Sequence, residues 1–390
     1  MDATPLIEAT GGVARYTWEL ARALGSGADV SGGVHKAGVH ECDEVWLVSD
    51  QDVKETDSAL SPHVHWGRPP ANFLERRWWS VGLPRELRRL KADVFHGTDF
   101  AIPYRSPCAA VMTIHDLSPW KQKEKSRGEV EWQPDAEQVR KRMPRMLRAN
   151  PRAMVITPSE AVRREVIEHV SLPGELVQAV PLAAGEIFRP PDHKAAQKRV
   201  TPNPYIVFVG TLEPRKNVAG LIEAWREARR GSGGRLDLVL AGRVRRDFRA
   251  PEPEPGLHLL GAVPDEDLPG LYGNAVAVAY PSFYEGFGLP VLEAMACGAL
   301  VVTSRDPAIC EVTGVGKVRD RSAAIHVDVH ERGALAKALT EVARNSDSFA
   351  GMRERALARA GKFSWARTAR ETRDVYLEAM ELRAGAGLGE

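Results

Sequence analysis

Two stretches of the chain hold residues whose types and spacing can do chemistry. In YPSFYEGFGLPVLEAMACGALVVTS (Tyr280–Ser304), Glu285 and Glu293 stand eight positions apart around Gly286, Phe287, Gly288 and Leu289. Carboxylates accept pairs of hydroxyls, and these two suit a pyranose and a ribose. The glycines let backbone amides approach a ligand closely. Glu285, set among Phe283, Tyr284 and Phe287, is costly to bury unless it finds a partner. In YIVFVGTLEPRKNVAGLIEAW (Tyr205–Trp225), the adjacent cations Arg215 and Lys216 follow an apolar run. Asn217 comes next and reads as a helix N-cap. A turn between a parallel strand and a helix gathers free amide groups. Two cations added there make a place for a diphosphate. Each feature also has a plain reading: a solvated basic pair, and a capping carboxylate beside a solvent-facing one.

These residues need a frame. Short apolar runs alternate with amphipathic stretches along most of the chain. Strands are expected at Glu44–Val48, Val94–His96, Ala110–Ile114, Val155–Thr157, Tyr205–Val209, Leu236–Ala241, Leu257–Gly261, Ala275–Tyr280 and Leu300–Thr303. Helices are expected at Val13–Leu24, Leu83–Leu90, Glu160–His169, Val218–Arg229, Leu268–Tyr272, Pro290–Ala296 and Gly333–Arg344, with a last one capped by Ser364. Continuous apolar runs followed by helices argue for parallel strands covered on both faces, hence an α/β protein. Pro181, Pro190, Pro191 and Pro202 mark a boundary. The expected division is 1–185, 186–362, and a closing helix and tail at 363–390. The Gly- and His-rich stretch Ala28–Cys42 reads as a surface loop.

Composition narrows the function. The chain has 390 residues, 53 Lys plus Arg against 52 Asp plus Glu, and 43% hydrophobic residues. A net charge of +1 gives no global pull toward nucleic acid. The four cysteines are scattered without metal-ligand spacing, so neither a zinc site nor a disulfide framework is expected, and a reducing cytosol fits. The segment MDATPLIEATGG has no signal-peptide pattern, and no apolar run approaches a membrane span. Gly286-Phe287-Gly288 begins like a dinucleotide fingerprint, but its third glycine is missing and Pro290 interrupts it.

With these residues in view, the chain resembles the retaining nucleotide-sugar glycosyltransferases of family four, which have the GT-B fold, and especially bacterial mannosyltransferases. The resemblance rests on Glu285-x7-Glu293, GTLEPRKN (Gly210–Asn217), GAVPDEDLPGLYGNA (Gly261–Ala275), EGFGLPVLEAMACG (Glu285–Gly298), ITPSEAVRREV (Ile156–Val166), TIHDLSP (Thr113–Pro119) and FSWARTARETRDVY (Phe363–Tyr376). It implies two Rossmann-like domains facing across a cleft, the first on the acceptor side and the second binding the donor, with a C-terminal helix crossing back. It also implies a metal-independent enzyme without cofactor, moving a hexose from a nucleoside diphosphate sugar, with GDP-mannose the leading donor. The acceptor is a glycan, glycolipid or small molecule. By the same resemblance Arg215 and Lys216 neutralise the diphosphate, Glu293 holds the ribose, and Glu285 holds sugar hydroxyls. The amides of Phe287, Gly288 and Leu289 face sugar and phosphate, and the base lies near Val263 and Leu268. Gly11 and Gly12 resemble a glycine loop approaching the donor phosphate. His115 resembles a histidine that contacts the donor sugar near its reacting carbon.

Two features depart from the pattern. Asp2–Leu6 resembles the segment after the family's first strand, so the innermost strand is expected to begin before Met1. Basic residues cluster in Arg68–Lys91 around Trp78 and Trp79, and again in 121–148. They fit either an ordinary solvated face or contact with an anionic membrane. An NAD(P)-linked oxidoreductase and a noncatalytic sugar-nucleotide-binding protein are the alternative functions.

Overall fold

Buried apolar runs of three to five residues set two parallel sheets, each described by itself. The structure, a computed structural model, describes residues 1–7, 11–26, 43–51, 53, 61–121, 136–191, 200–246, 248–315 and 322–385. The stretch Ala28–Cys42 lies outside the described residues, as does half of 121–148. Among the described residues, one unit comprises Met1–Trp120, those of Gln133–Leu182, and those from Ser364 onward. The other comprises Lys121 and Ala183–Phe363.

In the first unit the strands are β1 (Val45–Leu47), β2 (Val64–Trp66), β3 (Val94–Gly97), β4 (Ala109–Thr113), β5 (Met154–Thr157) and β6 (Val177–Ala179). Its helices include α1 (Gly12–Gly25), α2 (Leu83–Leu90), α3 (Ala136–Ala149) and α4 (Glu160–Val170). Strands β3-β4-β5-β6 form one sheet and β1-β2 a second. Every residue of β4 is buried, as befits a parallel strand covered on both faces. Between the sheets, where an innermost strand was expected, run Met1–Ala3. The Asp2 amide donates to the His96 carbonyl (2.8 Å), and the Ala3 amide donates to that of Val48 (2.8 Å).

In the second unit the strands are β7 (Tyr205–Val209), β8 (Asp237–Ala241), β9 (Leu257–Gly261), β10 (Ala277–Tyr280), β11 (Val301–Ser304) and β12 (Ile325–Val327). Its helices are α5 (Val218–Gly231), α6 (Leu268–Gly273), α7 (Leu289–Ala296), α8 (Pro307–Thr313), α9 (Ala334–Arg344) and α10 (Ala350–Ala360). The sheet order is β12-β11-β10-β7-β8-β9, and every adjacent pair is parallel. The chain winds one way from β7 and the other way from β10. The crevice at the carboxyl ends of β7 and β10 is therefore a topological switch point, where ligands of open α/β sheets bind.

The last helix, α11 (Trp365–Ala384), is capped by Ser364, whose Oγ accepts from the Arg367 amide. It packs on α1, β3, β4 and β5 of the first unit. A buried polar chain fastens it. Tyr16 Oη lies 2.9 Å from Thr113 Oγ1, Thr113 Oγ1 lies 2.7 Å from His96 Nε2, and His96 Nδ1 lies 2.7 Å from Tyr376 Oη. Among the described residues, no helix is long and apolar enough to cross a membrane.

Candidate functional site

Four loops at the carboxyl edge of the second sheet converge on one charged cluster. The loop after β7 becomes a single 3-10 turn, Pro214–Lys216, before α5. Asn217 is the N-cap of α5, as expected, but stands at φ 54° and makes no side-chain capping bond; its carbonyl accepts from the Leu221 amide. The loop after β10 leads to Gly288 at φ 94°, where any side chain is strained, and α7 starts there. Pro290 is the second residue of that helix, not the first. The two loops are joined by the Phe283 amide, which donates to the Arg215 carbonyl (2.9 Å).

The adjacent cations Arg215 and Lys216 are ion-paired and largely buried. Lys216 Nζ donates to Glu285 Oε1 and to Tyr280 Oη, both at 2.5 Å. Arg215 donates to Glu285 Oε2 (3.2 Å), to the Tyr284 carbonyl (2.9 Å) and to Glu213 Oε1 (2.9 Å). From the loop after β8, Arg245 reaches Glu213 Oε2 (2.6 Å). From the end of β11, Asp306 accepts the Glu285 amide (3.1 Å) with Oδ2 and the Ala308 amide (2.9 Å) with Oδ1. Glu285 thus has the partners its apolar setting demands, and the solvated reading of the basic pair fails.

Burial raises the Glu285 carboxyl, but the charges of Lys216 and Arg215 more than reverse this and hold it below its usual value. Burial pulls the Lys216 ammonium down against the attraction of Glu285. Asp306 is raised to about 6, first by burial and then by the charge of Glu285. Ionised groups shifted this way at a switch point are the mark of a working site as well as of an ion pair. What the cluster offers chemically is a rigid, multiply charged surface at the end of a parallel sheet.

The other expected donor residues sit around it. Glu293 is the fifth residue of α7, beyond its first turn, and only 1% exposed; Tyr272 Oη donates to its Oε2 (3.0 Å). Phe287 is buried and meets Phe363 edge-on, with ring centroids 6.0 Å apart. Gly286 is buried, as is Leu289. Val263 and Leu268 follow β9, which lies two strands from β7, roughly 10 Å across the sheet. Leu268 is buried at the start of α6, and Val263 is half-buried.

In the first unit the expected residues also gather at a carboxyl edge. His115 follows β4, and its Nε2 donates to the Thr98 carbonyl (2.8 Å) while its ring meets Tyr16 edge-on at 4.9 Å. Burial holds the imidazole below its usual pKa, so it is neutral near pH 7. With the proton on Nε2, Nδ1 keeps its lone pair as an acceptor. Gly11, at φ 140°, is the exposed N-cap of α1, and Gly12 begins that helix. Ser159 caps α4 by accepting the Val162 amide (3.2 Å). Sequence reasoning missed Glu213, Tyr280, Asp306 and Arg245. The first three follow or end the very strands that were recognised, so strand-end polar residues were the available signal.

Comparison with known proteins agrees with this frame. Residues 190–359 match the family described as glycosyl transferases group 1, and residues 10–183 match glycosyltransferase family 4. The chain is 30% identical over 392 residues to O-antigen chain mannosyltransferase B of Escherichia coli, covering 94% of this chain and 95% of that protein. Sucrose-phosphate synthase from Thermosynechococcus elongatus superposes with a TM-score of 0.68 at 18% identity, covering 95% of this chain and 94% of that one. HepE of Anabaena, in complex with UDP and glucose, gives 0.65 at 17%, covering 93% and 95%. Fold and site define a glycosyltransferase of the GT-B type. The chain belongs to glycosyltransferase family 4, in which its relatives include mannosyltransferases. The oxidoreductase and noncatalytic alternatives are not favoured.

Proposed function

We propose that the chain is a retaining, metal-independent glycosyltransferase that moves mannose from GDP-mannose to a hydroxyl of a glycan, glycolipid or small-molecule acceptor. The observation that carries this reading is the Arg215–Lys216–Glu285 cluster at the switch point. The mannosyltransferase of E. coli supports the choice of sugar. As the anomeric C–O bond breaks, negative charge grows on the leaving diphosphate. Cations already held in place stabilise that charge without reorganising, and they do so most in the transition state. Glu285 fixes both cations and takes sugar hydroxyls with its remaining lone pairs. The amides of Gly286, Phe287, Gly288 and Leu289 face sugar and phosphate, Glu293 holds the ribose, and Val263 and Leu268 flank the base. From the first unit, Gly11 and Gly12 would bring amides to the phosphate, and His115 would accept a sugar hydroxyl at Nδ1. The acceptor oxygen attacks the same face that the diphosphate leaves, and the leaving oxygen takes its proton. The products are a glycoside of unchanged anomeric configuration and a nucleoside diphosphate.

The test is release of nucleoside diphosphate from a panel of GDP-, UDP-, dTDP- and ADP-sugars with candidate acceptors, in chelator. GDP-mannose should be consumed fastest, with an α-linked product by NMR. A β-linked product, or dependence on added metal, would contradict the reading. A cytoplasmic location with peripheral membrane contact is part of the proposal. Phe73 is 79% exposed and Leu74 56% exposed, beside the exposed Arg68, Arg76 and Arg77. Apolar tips among cations suit an anionic bilayer surface. Sedimentation with anionic vesicles should fall on Phe73→Ser with Leu74→Ser; equal binding would remove this loop from the contact.

A further inference from the structure

The first unit has a second charged place, at the amino ends of β4 and β5. These are the ends away from His115, roughly 15 Å along a five-residue strand. A pocket of about 220 Å³ opens there, walled by alanines that include Ala109, Ala153 and Ala379 of α11. Arg105, Arg152 and Arg383 line it, and no carboxylate does. Arg383 is fixed: its guanidinium donates to the carbonyls of Pro107 (2.7 Å) and Cys108 (3.0 Å). Asn150 holds the rim, accepting the Ser106 amide (3.1 Å) and donating to the carbonyls of Pro103 and Met146, both at 2.8 Å. Arg105 and Arg152 are exposed, and neither has an ion-pair or hydrogen-bond partner among the described residues.

Three arginines lining one pocket, over a rim held by Asn150, suit an oxyanion. Arginine forks match phosphate bidentately, and the alanine walls take a small organic body. The volume is below the roughly 300 Å³ at which drug-sized ligands begin, so the ligand is small. We propose that this pocket binds a phosphate-bearing small molecule, with its phosphate between Arg105 and Arg152 and Arg383 as the fixed third charge. Because Arg383 and Ala379 belong to the last turns of α11, occupancy ties the end of that helix to β4 and β5.

The test titrates the full-length protein with inorganic phosphate and, separately, with glycerol 3-phosphate, following thermal stability and hydrogen exchange. Both sources should raise the melting temperature saturably and slow exchange at Tyr376–Ala384. A tighter response to the ester identifies an organic phosphate, and an equal one identifies the free ion. Arg105→Ser with Arg152→Ser should weaken the response at least about tenfold. The pair sits in solvent, and the Arg105→Lys, Arg152→Lys variant, which keeps charge without the fork, should fall between. Any phosphate effect at the donor cluster or on the solvent is common to all variants. Identical titrations in the wild type and the serine variant, or no change in α11 exchange, would overturn the proposal.

Discussion

The carboxyl edges of the two sheets are made of the same elements and arranged differently. In the second unit, loops after β7, β8, β10 and β11 interlock: Arg215, Lys216 and Arg245 pair with Glu213 and Glu285, and Asp306 accepts the Glu285 amide. In the first unit the edge is sparse, with a neutral histidine, a glycine helix start, and polar groups committed to fastening α11. Under the proposed function, the charged edge stabilises the leaving group and the sparse edge positions hydroxyls.

Substitutions sharpen or break this contrast. Glu285→Gln removes one charge from the interlocked edge and leaves its cations unevenly paired. Turnover should fall by about two to three orders of magnitude, read as initial rates of nucleoside diphosphate release. A covalent glycosyl adduct on Glu285, seen by mass spectrometry, would instead make it a nucleophile. His115→Ala on the sparse edge should cost less, about tenfold to a hundredfold in kcat/KM. A loss equal to that of Glu285→Gln would erase the distinction between the edges.

Asp306 gives a subtler lever. Its carboxyl is raised from 3.8 to about 6, so the folded protein holds this proton more tightly than the unfolded chain. The resulting stability is present in full below about 4 and is lost as the pH rises through about 6, a change on the order of 2–3 kcal/mol. Asp306→Asn should flatten that part of the stability–pH curve in denaturant melts. Its amide nitrogen cannot accept from the Glu285 amide, so kcat/KM should also fall, by about tenfold. An unchanged curve would mean that Asp306 does not titrate there. The smallest effect belongs to the α11 fastening. Tyr376→Phe removes the partner of His96 and should lower stability by about 1–3 kcal/mol in chemical melts. Activity at low temperature should hardly change.

Much of this was legible in the sequence, for physical reasons. The spans Tyr205–Val209, Leu257–Gly261 and Leu83–Leu90 have the bounds expected of them, because apolar runs and glycine or proline punctuation coincide there. Val64–Trp66, Val177–Ala179 and Ile325–Val327 went unread because three residues carry no periodicity. Ala136–Ala149 went unread because it is densely charged and holds Pro144 inside the helix. In the site, Arg215, Lys216 and Glu285 were visible as types and spacing, but their pairing was not. Glu213, Tyr280 and Asp306 join through strands distant in sequence, and only the parallel sheet brings those strand ends together.

The central claim is that the interlocked edge of the second unit receives the donor's diphosphate. Calorimetric titration of GDP into the wild type, Arg215→Ala and His115→Ala tests it most directly. The account predicts at least about tenfold weaker binding for Arg215→Ala and near-native binding for His115→Ala. Native affinity in Arg215→Ala, with the loss falling on His115→Ala, would contradict it.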